Sequence, residues 1–155
     1  MAIAPNTTFV SGAIYTASQA NAYGFGVVAL GTSSTSSAAV AVETLSVTSN
    51  SFTAIASRYY KITYYEPTLL YSAGTVTYVD LNIRLTSIAG TLQQAGSVKI
   101  SSADRSSGIV TIVKTLTAGA TVVVGTFTPT GGGTATCFRA ANVLAYILVE
   151  DIGPA

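Results

Sequence analysis

Residues 75–86 read TVTYVDLNIRLT, and from Tyr78 onward the two kinds of side chain alternate: Val79, Leu81, Ile83 and Leu85 in one phase, Tyr78, Asp80, Asn82 and Arg84 in the other. Successive side chains of a strand point to opposite faces, so a period of two predicts a β-strand with one face in a core and one in water. Residues 58–65, RYYKITYY, alternate too, with Tyr60, Ile62 and Tyr64 on one face and Tyr59, Lys61, Thr63 and Tyr65 on the other. Here both faces are aromatic. Such a strand is expected between the core and a second packed surface, for which another subunit is the natural candidate.

Outward from these two segments, β-branched and aromatic residues continue in short runs broken by Gly, Ser and Asn, which predicts further strands at 26–30, 38–48, 51–56, 97–101, 109–116, 120–128, 134–139 and 144–150. One exception precedes them. In TASQANA at 16–22, Thr16 can cap a helical turn and Gln19 can reach back to it, with Gly24 and Gly26 ending the turn. The expected fold is all-β, a β-sandwich or jelly-roll-like domain with one short N-terminal helical turn. Residues 1–11 are expected to form an N-terminal arm and residues 12–155 a single β-sandwich domain. The arm is apolar and carries Pro5, which lacks an N–H and suits an extended segment; Ile3, Pro5 and Phe9 are its candidate anchoring residues. The stretches GTSSTSS at 31–37 and PTGGGT at 129–134 read as flexible loops, the second as a loose hairpin tip.

Composition narrows the function classes. Apolar residues are 49% of the 155 and charged residues only 8%, against about 25% charged in an ordinary soluble domain. The net charge of +1 offers no basic field, so neither nucleic acid nor an anionic membrane surface is an expected partner. Mean hydropathy is +0.53, yet Ser, Thr or Gly interrupts every apolar run before the roughly 18 residues of a spanning helix. Residues 1–10 carry neither the positive charge nor the apolar block of a signal peptide, so synthesis in a cytoplasm is expected. Thirteen charged side chains are too few to solvate a free monomer of 15.7 kDa. Either hydroxyls do that work or other chains cover the surface.

No reactive constellation stands out. There is no His, and Cys137 is the sole thiol, expected to act as a small buried apolar residue. The carboxylates are Glu43, Glu66, Asp80, Asp104, Glu150 and Asp151. A glycosidase needs two of them facing across a sugar, a pairing that sequence alone does not show. A sugar-binding module would be expected to use Trp, which is absent. Glu150 and Asp151 read as a solvated C-terminal edge. Arg58 and Glu66 share a face but lie about 26 Å apart along an extended strand, too far to pair within it. Asp80 and Arg84 are either independent surface charges or polar contacts to a neighbouring subunit. With Tyr59 and Tyr65 they are the candidate subunit-interface residues. No enzymatic activity, cofactor or metal is expected.

Several segments taken in order, GAIYTASQANA, GVVAL, FTAIASRYYKITYYEP, LNIRLT and the closing ILVEDIGPA, resemble a family of small Ala/Ser/Thr/Gly-rich β-structured proteins of tailed bacteriophages. The family comprises free-standing virion proteins and distal modules of fibres, and the resemblance spans nearly the whole chain. It implies a virion surface protein assembled in the host cytoplasm, a homotrimer of jelly-roll-like subunits. Of its roles, capsid decoration (cement) fits better than a fibre, because the sequence has no coiled-coil shaft or collagen-like repeat. The expected partners are then itself and the major capsid or another virion protein. The alternative is a tail-fibre or head-fibre component that binds a host surface glycan or receptor.

Overall fold

The computed structural model of the chain describes residues 26–101 and 105–155. The expected helical turn at 16–22, the arm residues Ile3, Pro5 and Phe9, and Asp104 lie outside the described residues. Within them the regular structure is entirely β: β1 (Gly26–Ser33), β2 (Thr44–Thr48), β3 (Phe52–Ala54), β4 (Arg58–Ala73), β5 (Tyr78–Leu85), β6 (Leu92–Lys99), β7 (Ser106–Thr115), β8 (Gly119–Thr121), β9 (Val123–Thr130), β10 (Thr134–Cys137) and β11 (Ala145–Pro154).

Every pairing is antiparallel. The first sheet has five strands built on β4, and the second runs β2-β9-β5-β6; β3 and β8 form a separate short pair. On β4, Leu69 faces both Ser106 of β7 and Cys137 of β10. Those strands therefore flank β4 on opposite edges, and β10 follows β11 along the edge that β7 does not use. β1 then lies outside β11.

The two sheets pack face to face. The in-phase residues of the two deciding strands meet in the middle: Tyr60, Ile62 and Tyr64 of β4 against Val79, Leu81 and Ile83 of β5, joined by Ile147, Val149 and Phe127, all 1% exposed or less. Each such side chain contributes about 1.5–3 kcal/mol by leaving water. Close approach depends on Gly125 of β9, where a Cβ would sit 2.7 Å from the Tyr64 ring.

Several expected boundaries move, each for a physical reason. β4 does not stop at Tyr65. It continues through Pro67 to Ala73 because the β4–β7 register shifts between Glu66 and Leu69, a bulge that accommodates a residue with no N–H to donate. Of the strand expected at 38–48, only 44–48 belongs to a sheet, apart from an isolated Val40–Ala135 bridge. The preceding residues carry the chain from the first sheet to the second. The Ser-rich stretch before them is pinned and not a free loop: the Ser37 N–H donates to the Cys137 carbonyl (3.0 Å), and Ser37 Oγ accepts from the Cys137 N–H (2.9 Å). The Gly131–Gly133 segment is not a hairpin tip, because β9 and β10 lie in different sheets. It is a corner, and Gly131 (φ 104°) and Gly132 (φ 86°) supply the left-handed backbone it needs. Finally, Glu150 and Asp151 lie in β11, between β1 and β4, so they are not at an edge.

Thr86 follows β5 with φ 73°, its backbone held by a hydrogen bond from its N–H to the Val122 carbonyl (2.8 Å). A residue with a Cβ in this region costs roughly 1–2 kcal/mol, and Thr86 is exposed with nothing to gain in packing. Thr86→Gly is therefore expected to stabilise the fold by about 0.5–1 kcal/mol, after the extra unfolded-chain entropy of Gly is subtracted. Equilibrium denaturation checks it; a net loss would show that the Thr side chain contributes more than its backbone strain costs.

Candidate functional site

The fate of the charges comes first. Among the described residues four ion pairs, Arg58–Asp151, Lys61–Glu150, Arg84–Glu43 and Arg139–Glu66, use eight of the thirteen charged side chains of the sequence. Two of these pairs are buried.

Glu66, in phase with Tyr60, Ile62 and Tyr64, points into the core at 0% exposure. Its carboxylate accepts two bonds from Arg139, Nε to Oε1 (2.8 Å) and Nη2 to Oε2 (2.7 Å), and Oε2 also accepts from Ser46 Oγ (2.8 Å) and Tyr64 Oη (3.0 Å). Arg139 donates further to Ser33 Oγ, the Thr35 carbonyl and the Ser46 carbonyl. The cluster ties β4, β2, the end of β1 with Thr35 beyond it, and the segment after β10 to one another. Burial, and then the Glu66 charge, push the Tyr64 hydroxyl and the Cys137 thiol well above their ordinary values, so both stay protonated. For Arg139 burial works against the charge, but the bonds and charge of Glu66 outweigh it and raise its pKa.

The four candidate interface residues do not come together. Tyr59 and Tyr65 lie on the outer face of the first sheet, opposite the phase of Tyr60 and Tyr64. Asp80 and Arg84 lie on the outer face of the second sheet, across the core. There Asp80 accepts from Ser97 Oγ (2.5 Å), and Arg84 grips Glu43 through Nε (2.7 Å) and Nη2 (2.8 Å). Asn82 and Thr126 also donate to Glu43.

The Arg84 hydrogen bonds are the main reason the Glu43 pKa falls below its ordinary 4.5, with burial opposing and Thr126 reinforcing them. A depressed carboxylate stabilises the fold fully above its unfolded pKa, and that contribution is lost as pH falls through the folded pKa. Stability should therefore decline below about pH 4.5 more steeply in the wild type than in Glu43→Gln. Parallel acid-unfolding curves for the two proteins would contradict this.

The outer face of the first sheet is a distinct surface. Cross-strand register lays it out in rows: Thr32, Tyr146, Tyr65 and Ile109; then Leu30, Leu148, Thr63 and Thr111; then Val27, Glu150, Lys61 and Val113. The Tyr65 and Tyr146 rings pack with centroids 5.2 Å apart. Val27, Leu30, Ile109 and Val113 are 43–62% exposed. Its charged residues, Lys61 and Glu150, pair with each other at 3.0 Å, leaving the face neutral. Sequence reasoning reached this face through the β4 residues Tyr59, Lys61, Thr63 and Tyr65 alone. The signal for the rest was in residues 109–113, IVTIV, apolar in both phases, with Val110 buried and Ile109 and Val113 turned outward.

A depression of about 350 Å³ is lined by Lys99, Ile100, Ser101 and Ser106. No group of three or more potential metal ligands occurs among the described residues.

Comparison with protein-family models gives no match, and no curated protein matches the chain. Among solved structures the chain is similar to the CBM22-1 xylan-binding domain of Paenibacillus barcinonensis Xyn10C, at 9% identity over 76% of this chain and 86% of that one, with a TM-score of 0.35.

Proposed function

We propose that the protein is a structural protein of a tailed-bacteriophage virion, a capsid decoration (cement) protein that binds the outer capsid surface as a homotrimer and stabilises the shell. The observation that carries this reading is the neutral, aromatic and aliphatic outer face of the first sheet, in a chain whose few charges are spent largely on internal ion pairs. A subunit surface of this kind is suited to being covered. The ordered run of segments similar to phage virion proteins points to the same role. A jelly-roll-like sandwich agrees with the pairing of the first described strand, β1, with the last, β11, and of β2 with β9, as when a long antiparallel ribbon folds over on itself. Among the described residues the carboxylates serve as partners of guanidinium and ammonium groups or, in Asp80, of a hydroxyl, a structural use of charge.

The test is addition of purified protein to phage capsids lacking it. Saturable co-sedimentation and a raised temperature of capsid rupture are the expected results. Absence of capsid binding, with saturable binding to host cells instead, would replace this reading with a fibre-type receptor-binding role.

A further inference from the structure

We propose that the depression where β6 ends and β7 begins is an anion site, in which Lys99 and Arg105 hold one carboxylate, sulfate or phosphate group of a small polar ligand. The site goes beyond the capsid-binding role and is independent of it.

The first observation is where the charges lie. Of the seven Lys and Arg residues, Arg58, Lys61, Arg84 and Arg139 are in ion pairs, and Lys114 Nζ donates to Gln93 Oε1. The other two, Lys99 and Arg105, have no carboxylate partner among the described residues, and they belong to the same corner of the fold. Lys99 lines the depression with Ile100, Ser101 and Ser106, and Arg105 immediately precedes Ser106. Of the acids outside the ion pairs, Asp80 accepts from Ser97 Oγ, and Asp104 lies outside the described residues. One carboxylate can offset only one of two cations.

The second is how the walls are held. Ser106 Oγ donates to the Lys99 carbonyl (3.0 Å), which ties the end of β6 to the start of β7 and sets the Arg105 backbone beside that of Lys99. Ile100 is 4% exposed and its N–H donates to the Thr77 carbonyl (3.2 Å), so this wall is anchored in the core. The Arg105 guanidinium lies over the Phe138 ring, with Cζ 5.3 Å from the centroid. Stacking engages the flat face of a guanidinium and leaves its in-plane N–H groups to donate, the geometry that takes two oxygens of one oxyanion. Lys99 adds a compact charge on a flexible stem.

The third is size. The volume of about 350 Å³ is larger than a bare oxyanion needs, and it falls at the lower end of the roughly 300–1,000 Å³ of small-molecule sites. Ser106 Oγ directs its proton at the Lys99 carbonyl, and its oxygen still accepts from a ligand hydroxyl. A single sugar unit carrying one acidic group matches both the charge and the volume. A polyanion such as nucleic acid needs an extended basic field, which a net charge of +1 does not supply.

The test is titration of the isotope-labelled full chain with glucuronate, inorganic sulfate, inorganic phosphate and glucose at low ionic strength, followed by NMR. Glucuronate and at least one inorganic anion should give saturable shifts at the amides of Lys99, Ile100 and Ser106, and glucose should bind at least about tenfold more weakly than glucuronate. Lys99→Met and Arg105→Gln remove exposed side chains, so the rest of the spectrum should be unchanged. Each should weaken glucuronate binding at least fivefold, whereas Lys114→Met, away from the depression, should not. Physiological salt should weaken binding several-fold in the wild type. Glucuronate binding tighter than sulfate and phosphate would assign the site to an acidic sugar; the reverse order would assign it to a free inorganic oxyanion. No saturable shift with any anion, glucose binding as well as glucuronate, or Lys99→Met and Arg105→Gln both binding as the wild type does would each overturn the proposal.

Discussion

Arg139→Ala is expected to cost about 3–5 kcal/mol of unfolding free energy, because it removes one partner of a buried ion pair and leaves the other charge in the core. Glu66 is 0% exposed and Arg139 6%. Without the guanidinium the carboxylate keeps the Ser46 and Tyr64 hydroxyls as donors, and the end of β1 at Ser33 and the following Thr35 lose their bonds from Arg139. In a chain of this length the melting temperature should fall on the order of 10 °C. Arg139→Lys should be intermediate, since an ammonium cannot reproduce two parallel bonds to one carboxylate. Adding Glu66→Gln to Arg139→Ala should recover part of the loss, because the neutral amide no longer places a charge in the core while its oxygen still accepts from Tyr64. A single-variant cost under about 1 kcal/mol, or no recovery in the double variant, would mean that the core tolerates the charge by letting water in.

How much of this was legible in the sequence depends on the range of the interaction. The core faces of β4 and β5 follow from alternation alone, a property of adjacent residues: Tyr60, Ile62 and Tyr64, and Val79, Leu81 and Ile83, are buried as their phase requires. Glu66 continues the phase of Tyr64, but the strand expected from the sequence stops at Tyr65, one residue short of it. Its partner lies 73 residues away. No local pattern links two such positions. The outer face of the first sheet was half legible for the same reason. Tyr59 and Tyr65 come from one strand, whereas Leu30, Leu148 and Ile109 join them only through the order β1-β11-β4-β7, which brings strands from across the chain side by side. On the second sheet, Asp80 and Arg84 were correctly placed on the wet face of β5, but Glu43, which occupies Arg84, is 41 residues away.

Asp151→Ala should likewise cost about 3–5 kcal/mol, and it separates two neighbouring acids that look alike in sequence. Asp151 is 2% exposed, in the inward phase of Ile147 and Val149. Its Oδ2 accepts from Arg58 Nε (2.6 Å), and its Oδ1 accepts from Arg58 Nη2 (2.7 Å) and from the Gly153 N–H (3.0 Å). These bonds fasten the end of β11 to the start of β4, where the register shifts between Asp151 and Gly153. They are also the main cause of the raised Arg58 pKa, which burial alone would lower. Removing the carboxylate takes the countercharge from a guanidinium that is 6% exposed. Asp151→Asn keeps the shape and an acceptor for Gly153, so it should cost less, about 1–3 kcal/mol. Glu150, one residue earlier, points the other way. Its partner Lys61 has a side chain 44% exposed, and a solvent-screened pair of that kind contributes only about 0–1 kcal/mol. Glu150→Ala should therefore be nearly silent in urea denaturation, where Asp151→Ala shifts the midpoint strongly. Equal, small shifts for both would restore the reading of residues 150 and 151 as a solvated edge. A large shift for Asp151 alone follows from β11 being an interior strand, in which parity decides whether a carboxylate meets water or a buried guanidinium.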